Sequence, residues 1–341
     1  MSFSFARTRR SSDDARYSAQ RSFARGEEYV RTRVSEGARP GVRANTPAQA
    51  YCSAIACAAL RSTSAFGLCL PSVTNKHDTG MKLRSLYAPE GGVHSIFSAK
   101  VADYMASRPD YPEALFETLG VRCALPDSAT IADVGAGTGL LTKGLLTHGY
   151  RVVAVEPNPS MRAASDRLLG GVAGYRSADG CAESIPLEAA SVHLITAAQA
   201  FHWFEVDRAR AEFLRVLVPH GQVALIWNDR VLEDPLHVAL DSVFAEFGGV
   251  KRAALVAHED RSDVPRFFGL ARPEEFSWPH EHFLDQEGLL SLVYSRSYIP
   301  ERSTPEGRAV AHRVRRIFDR FFVNGIVNVR YRTVAVLGRP A

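Results

Sequence analysis

From residue 130 onward, two hydrophobic periods alternate along the chain. Short runs rich in Val, Ile and Ala are followed by stretches in which apolar residues recur at helical spacing. The pattern predicts strands over 130–134, 151–156, near 174–177, over 191–198 and over 221–228. Helices are predicted over 139–148, 159–169 and 206–217. Two short helices are expected earlier, from Lys100 to Met105 and from Pro112 to Leu119. Residues 229–272 read as mainly helical and polar, and two late strands follow over 273–285 and 327–338. Strands that alternate with helices imply an α/β fold, a doubly wound and mostly parallel sheet covered on both faces. Two consecutive late strands add an antiparallel edge, for a seven-stranded sheet.

Residues 1–90 have no such periodicity and are rich in Arg, Ser and Ala. Such a segment buries too little apolar surface to offset its ordering entropy, so a disordered N-terminal extension is expected. An organelle-targeting segment is the alternative, opposed by the acids Asp13, Asp14, Glu27, Glu28 and Glu36. A third reading places the physiological start at Met81. Residues 91–341 form the expected domain, with a ligand-binding half over about 125–228 and lid or substrate elements over 95–124 and 229–326.

The overall formal charge of +4 is uneven along the chain. Residues 1–80 carry twelve Lys/Arg against six Asp/Glu, leaving 29 against 31 in the remainder. A near-neutral folded part gives no sign of a nucleic-acid or membrane partner. Cys52, Cys57, Cys69, Cys123 and Cys181 include no C-x-x-C pair, so free thiols in a reducing, cytoplasmic setting are expected. No apolar run reaches the ~18 residues that span a bilayer. His280, Glu281 and His282 offer at most two ligands on one strand face, so no metal site is expected.

The chemistry concentrates at Ile131-Ala-Asp133-Val-Gly135-Ala136-Gly137-Thr-Gly139. A strand runs into alternating glycines and then a helix, which brings free N–H groups close to a ligand. A dinucleotide site needs G-x-G-x-x-G, and Leu140 stands where its third glycine belongs. The second strand ends at Glu156, 17 residues after Gly139. A carboxylate there can accept both ribose hydroxyls of NAD or of S-adenosylmethionine.

Further strings narrow the choice. They are Phe97 to Pro112, with Tyr104, Arg108-Pro109 and Tyr111-Pro112; Pro157-Asn-Pro-Ser-Met161; and Gly180-Cys-Ala182-Glu183-Ser-Ile-Pro-Leu187. Ala198-Gln199-Ala-Phe201-His202-Trp203-Phe204, Trp227-Asn228 and Ser295-Arg296-Ser-Tyr298 complete the series. In this order they resemble the class I S-adenosylmethionine-dependent methyltransferases, and more narrowly the trans-aconitate methyltransferase-like small-molecule group. The resemblance covers about residues 96–338 and implies a Rossmann-like fold with S-adenosyl-L-methionine as cofactor.

By that resemblance, Asp133, Gly135, Ala136 and Gly137 surround the methionine moiety, with Asp133 near its amino group. Glu156 takes the ribose, Pro157 and Met161 pack on adenine, and Ala182 with Glu183 or Asp179 meets the adenine edge. Gln199, His202 and Trp203 fall where cofactor and acceptor meet, as positioning groups or, for His202, a proton acceptor. Tyr104, Arg108 and Tyr111 resemble a lid, with Arg108 able to hold a carboxylate. Arg296 and Tyr298 are acceptor-site candidates. The expected reaction is methyl transfer to a carboxylate or hydroxyl oxygen of a small molecule. A catalytically silent methyltransferase-like binding module is the rival reading, and an NAD-dependent oxidoreductase the weaker one.

Overall fold

Strand β1 (Thr130–Val134) is buried from its second residue onward, because its neighbours cover it on both faces. Ile131 faces one core with Leu115, Phe116, Leu141, Leu145 and Val152. Ala132 and Val134 face another, with Val153, Val155, Ile195 and Phe213. Continuous Val, Ile and Ala therefore suit this strand better than apolar–polar alternation. In the computed structural model, which describes residues 85–90, 92–127, 129–258 and 261–341, β1 is an inner strand of a seven-stranded sheet. Most of the expectation for residues 1–90, including Cys52, Cys57 and Cys69, falls outside the described residues.

The other strands are β2 (Arg151–Val155), β3 (Tyr175–Ala178), β4 (Val192–Ala198), β5 (Leu217–Arg230), β6 (Glu274–Leu284) and β7 (Val327–Gly338). Their order is β3-β2-β1-β4-β5-β7-β6. The pairs from β3 to β5 are parallel. β7 runs antiparallel to both β5 and β6, so the reversed strand lies one place in from the edge. The order changes direction beside β1 and β4, which opens a crevice at their carboxyl ends.

Helices α1 (Gly92–Ser107), α2 (Glu113–Arg122), α3 (Leu140–Thr147), α4 (Pro159–Leu169) and α5 (Val206–Val216) precede β5 in the chain. Asn158 caps α4 by accepting from the Ser160 and Met161 N–H groups, and Pro159 starts its first turn. After β5 come α6 (Pro235–His258) and α7 (Val264–Phe268), then α8 (Gln286–Tyr294) and α9 (Pro305–Phe321) on either side of Ile299. α6 is kinked at Gly249, whose φ of 52° and ψ of −146° suit glycine alone. Leu240 and Phe244 of α6 pack with Leu289 of α8, Val310 and Val314 of α9, and Val329 of β7.

α1 is longer than the expected 100–105 segment and packs against α8 and α4. Lys100 fastens it from a buried position, its Nζ donating to the Tyr294 carbonyl at 2.8 Å and the Ile299 carbonyl at 2.9 Å. Arg302 adds a bond of 2.7 Å to Asp103. An element that sequence periodicity barely registers is thus held over the crevice by long-range polar contacts. Among the described residues, no helix is long and apolar enough to cross a membrane.

Candidate active site

The glycine turn between β1 and α3 sets the floor of the site. Gly135, Gly137 and Gly139 have φ of 72°, 58° and 87°, a region that side chains disfavour. A Cβ at Gly135 would stand 2.6 Å from Ala200 Cβ, so the turn also needs glycine for space. The Gly137 N–H donates to Glu156 Oε2 at 2.9 Å, and the Asn158 N–H donates to Oε1 at 2.8 Å. Burial raises the Glu156 pKa from the usual carboxylate range, against the opposing pull of these two donors.

A cavity of about 590 Å³ opens over this floor. Eight of the residues expected to hold the cofactor line it, namely Gly135, Gly137, Glu156, Pro157, Met161, Ala182, Glu183 and Gln199, together with His202 and Trp203, which were expected where cofactor and acceptor meet. Asp179 is instead paired with Arg162 at 3.2 Å and largely exposed, which leaves Glu183 as the carboxylate at the wall. Glu183 Oε1 accepts the Glu205 N–H at 2.6 Å and is held there by the start of α5.

Two expected contacts need correction. Asp133 is only 1% exposed. Its Oδ2 accepts from Thr142 Oγ1 at 2.6 Å and its Oδ1 from Thr196 Oγ1 at 2.9 Å. It clamps β1 to α3 and β4 rather than presenting a carboxylate to a ligand, and burial raises its pKa to about 6. Ala136 does not line the cavity either, and its N–H donates to the Val155 carbonyl at 3.2 Å.

A second cavity, of about 770 Å³, lies beyond the ends of β4 and β5. The two share Tyr104, Arg108, Gln199, His202, Phe204 and Arg296. Gln199 sits at this junction with a φ of 56°, unusual for a side-chain-bearing residue. Its N–H donates to the Ile226 carbonyl at 2.9 Å and its Nε2 to the Asn228 carbonyl at 3.3 Å. The strained residue is therefore pinned to the end of β5. His202 lies on the 3-10 turn Phe201–Trp203, its ring 4.9 Å from that of Trp203. Trp203 itself lines only the first cavity, edge-on to Tyr87 and Phe97, rather than the wall that the two cavities share, where its expected place was.

Tyr111, a lid candidate, lines the second cavity alone, and Tyr298, an acceptor-site candidate, lines the first alone. Arg108 stands in the shared wall, its Cζ 4.7 Å from the Tyr104 ring centroid and its Nη2 donating to the Ser295 carbonyl at 3.2 Å. Its Nε is buried with no hydrogen-bond partner among the described residues, and burial, with Arg296 nearby, lowers its pKa.

The rest of the second cavity was not foreseen. Arg230 and Arg252 share Asp241 at 3.2 and 2.8 Å. Arg261 lies over Trp227 at 4.2 Å and reaches both oxygens of Asp229 at 2.6 Å. His237 and Tyr331 are buried in the same wall. These residues come from β5, α6, β7 and the stretch before α7, and no local motif joins them. The Trp227-Asn228 string was their only sequence signal.

His280 Nε2 lies 3.2 Å from Asp110, and His282 Nε2 lies 2.9 Å from the Ser107 carbonyl. Among the described residues, no three His, Cys, Asp or Glu side chains converge as metal ligands.

Residues 132–225 match the family model described as a methyltransferase domain. The chain is 35% identical over 203 residues to an uncharacterized methyltransferase of Mycobacterium tuberculosis, an alignment covering 59% of this chain and 76% of that one. It is 28% identical to an uncharacterized methyltransferase-like protein of Schizosaccharomyces pombe, over 70% of this chain and 93% of the other. A solved structure from Anaeromyxobacter dehalogenans, provisionally named a type II methyltransferase, is 26% identical with a TM-score of 0.48, covering 68% of this chain and 97% of that one. The chain belongs to the class I S-adenosylmethionine-dependent methyltransferases.

Proposed function

We propose that the chain methylates an oxygen of a small anionic acceptor, with S-adenosylmethionine in the 590 Å³ cavity and the acceptor in the 770 Å³ cavity. The observation that carries this reading is the charge of the second cavity. Five arginines line it against three aspartates, Asp229, Asp241 and Asp263. Arg230, Arg252 and Arg261 already face Asp241 or Asp229. Arg108 has only a backbone carbonyl and a tyrosine ring among the described contacts, and it stands where the two cavities meet. A carboxylate at that point would gain a charge-assisted, bidentate partner. The narrower resemblance to the trans-aconitate methyltransferase-like group supports the same acceptor class.

The first cavity suits the cofactor on its own terms. Its floor is closed to a Cβ at Gly135, while nothing stands within 4 Å of a Cβ at Gly137. Glu156 presents a carboxylate with lone pairs left for ribose hydroxyls, Met161 and Pro157 offer an apolar face to adenine, and Glu183 an acceptor at its edge. The bound cofactor would supply a methyl group on an electrophilic sulfonium. Arg108, Gln199 and Tyr104 would fix the acceptor's orientation, Phe204 would keep water from the junction, and Trp203 would keep it from the first cavity. Catalysis would come mainly from placing the reactants in line. His202 would take the proton from a hydroxyl acceptor, whereas a carboxylate acceptor is already ionised and needs no base.

The test is a screen of small mono-, di- and hydroxycarboxylic acids with methyl-labelled S-adenosylmethionine and the full chain. Base-labile labelled ester is the expected product. Cofactor binding without transfer to any of these acids, but with transfer to an amine or a neutral thiol, would overturn the acceptor assignment.

A further inference from the structure

α9 is amphipathic in an unusual way. Gly307, Val310, Val314 and Phe318 are buried, while Arg308, His312, Arg313, Arg315, Arg316 and Arg320 are all exposed. Seven- and four-residue spacing places Arg308 beside Arg315, and His312, Arg316 and Arg320 in an adjoining row. Glu306 in the first turn and Asp319 near the end are the helix's two acids, both exposed. Arg313 is paired with Glu246 at 3.2 Å, and Arg308 donates to the Ser303 carbonyl at 2.6 Å. Arg315 and Arg316 have no ion-pair partner among the described residues.

The stripe runs into an apolar tip. Phe322 stacks on Phe318 at 5.5 Å, and Val323 bridges Ile326 across a tight turn at Asn324 and Gly325. Both turn residues have positive φ, 52° and 81°, as a two-residue hairpin turn requires. Leu284 pairs with Val327 and both are buried, so their neighbours Phe283 and Ile326 turn outward together. Phe283, Phe322, Val323 and Ile326 are between 42% and 67% exposed. Four large apolar side chains on one ordered tip, two residues beyond Arg320, are more than scattered surface exposure.

We propose that this face docks on an anionic lipid surface, with the α9 arginines against the headgroups and the Phe322–Ile326 tip among the acyl chains. An interfacial element needs both parts, cations for attraction and apolar side chains for insertion. A nucleic acid would satisfy the arginines and leave the four apolar groups in water. The contact is peripheral and stands apart from both cavities, so it does not rest on the proposed reaction. It also revises the expectation of no membrane partner. The near-neutral charge of the folded part averages over a face that becomes visible only when α9 is set on the core.

The test is sedimentation of the full chain with phosphatidylcholine vesicles, with and without phosphatidylglycerol. Two variants accompany it, Arg308→Glu/Arg315→Glu/Arg316→Glu and Phe322→Ser/Val323→Ser, each checked for an unchanged melting transition. Salt-sensitive binding to the anionic vesicles is expected, reduced at least about tenfold by the charge reversal and severalfold by the serine pair. Failure of the parent to bind anionic vesicles would overturn the proposal. So would a charge-reversed protein that binds like the parent, because attraction would then come from other residues. Binding to a DNA duplex but not to vesicles, lost with the arginines and unchanged by the serines, would replace the lipid surface with a nucleic acid.

Discussion

Glu156 Oε2 accepts the backbone N–H of Gly137 at 2.9 Å, across 19 residues of sequence. The end of β2 thereby fixes the glycine turn after β1, and one carboxylate shapes the floor while facing the proposed ribose site. Glu156→Ala should weaken S-adenosylhomocysteine binding by about tenfold or more, since a charge-assisted hydrogen bond contributes ~1.5–3 kcal/mol. Calorimetric titration of the folded variant checks this. Unchanged affinity would remove Glu156 from the cofactor site.

Asp133 predicts a pH effect. Its pKa of about 6 lies above an unfolded value of ~3.9. Between those values the native state binds more protons than the unfolded chain, so this group's contribution to stability falls as pH rises through 6. The contribution is full below the unfolded value and absent well above 6. Asp133→Asn stays neutral and should flatten the part of the melting curve's pH dependence between about 4 and 7. Thermal melts of both proteins across that range should converge at the acid end, if the amide keeps the Thr142 and Thr196 contacts. An identical pH dependence in the two would show that Asp133 does not titrate there.

Arg108 tests which cavity its guanidinium serves. Loss of a bidentate charge-assisted pair should lower kcat/KM for an anionic acceptor by about ten- to a hundredfold in Arg108→Ala. Arg108→Lys should recover only part of this, because an ammonium lacks the planar fork. Cofactor affinity should change by less than about threefold in either variant. A fall in cofactor affinity with an unaltered acceptor KM would assign Arg108 to the methionine carboxylate instead.

What the sequence disclosed and what it hid follow from the range of the interactions involved. The β1 and β2 runs, the glycine turn and Asn158-Pro159 at the start of α4 are local signals, and the observed Thr130–Val134, Arg151–Val155 and Pro159–Leu169 match them closely. Glu156 and Gln199 could be placed at the cavity from sequence because the one ends and the other directly follows a predicted strand. Asp133 was misplaced because its partners, Thr142 and Thr196, are nine and 63 residues away and nothing local marks them. The insertion of β7 between β5 and β6, and the meeting of Arg230, Arg252 and Arg261 over one cavity, depend on how distant segments pack. The kink at Gly249 was equally hidden, since a glycine in a helical pattern does not announce its φ.

Gly144 provides the last prediction, because two opposing effects meet there. It lies within α3, where glycine is unfavourable by ~1 kcal/mol relative to alanine. On propensity alone, Gly144→Ala should stabilise the protein. A Cβ built there, however, stands 2.1 Å from Phe116 Cζ and within 2.8 Å of two further ring atoms. Phe116 is itself buried in α2 and stacked on His148 at 4.9 Å, so the ring has little room to move. Overpacking of this kind costs ~1–3 kcal/mol, and at such a separation the upper part of that range applies. Gly144→Ala should therefore lower stability by about 1–2 kcal/mol net. Gly144→Ala/Phe116→Leu should recover most of the loss, because the smaller side chain vacates the ring's position. Chemical denaturation of the two variants beside the parent measures both effects. A stabilised single variant would mean that α2 shifts freely on α3, and that this helix pair does not hold the floor of the cofactor cavity rigid.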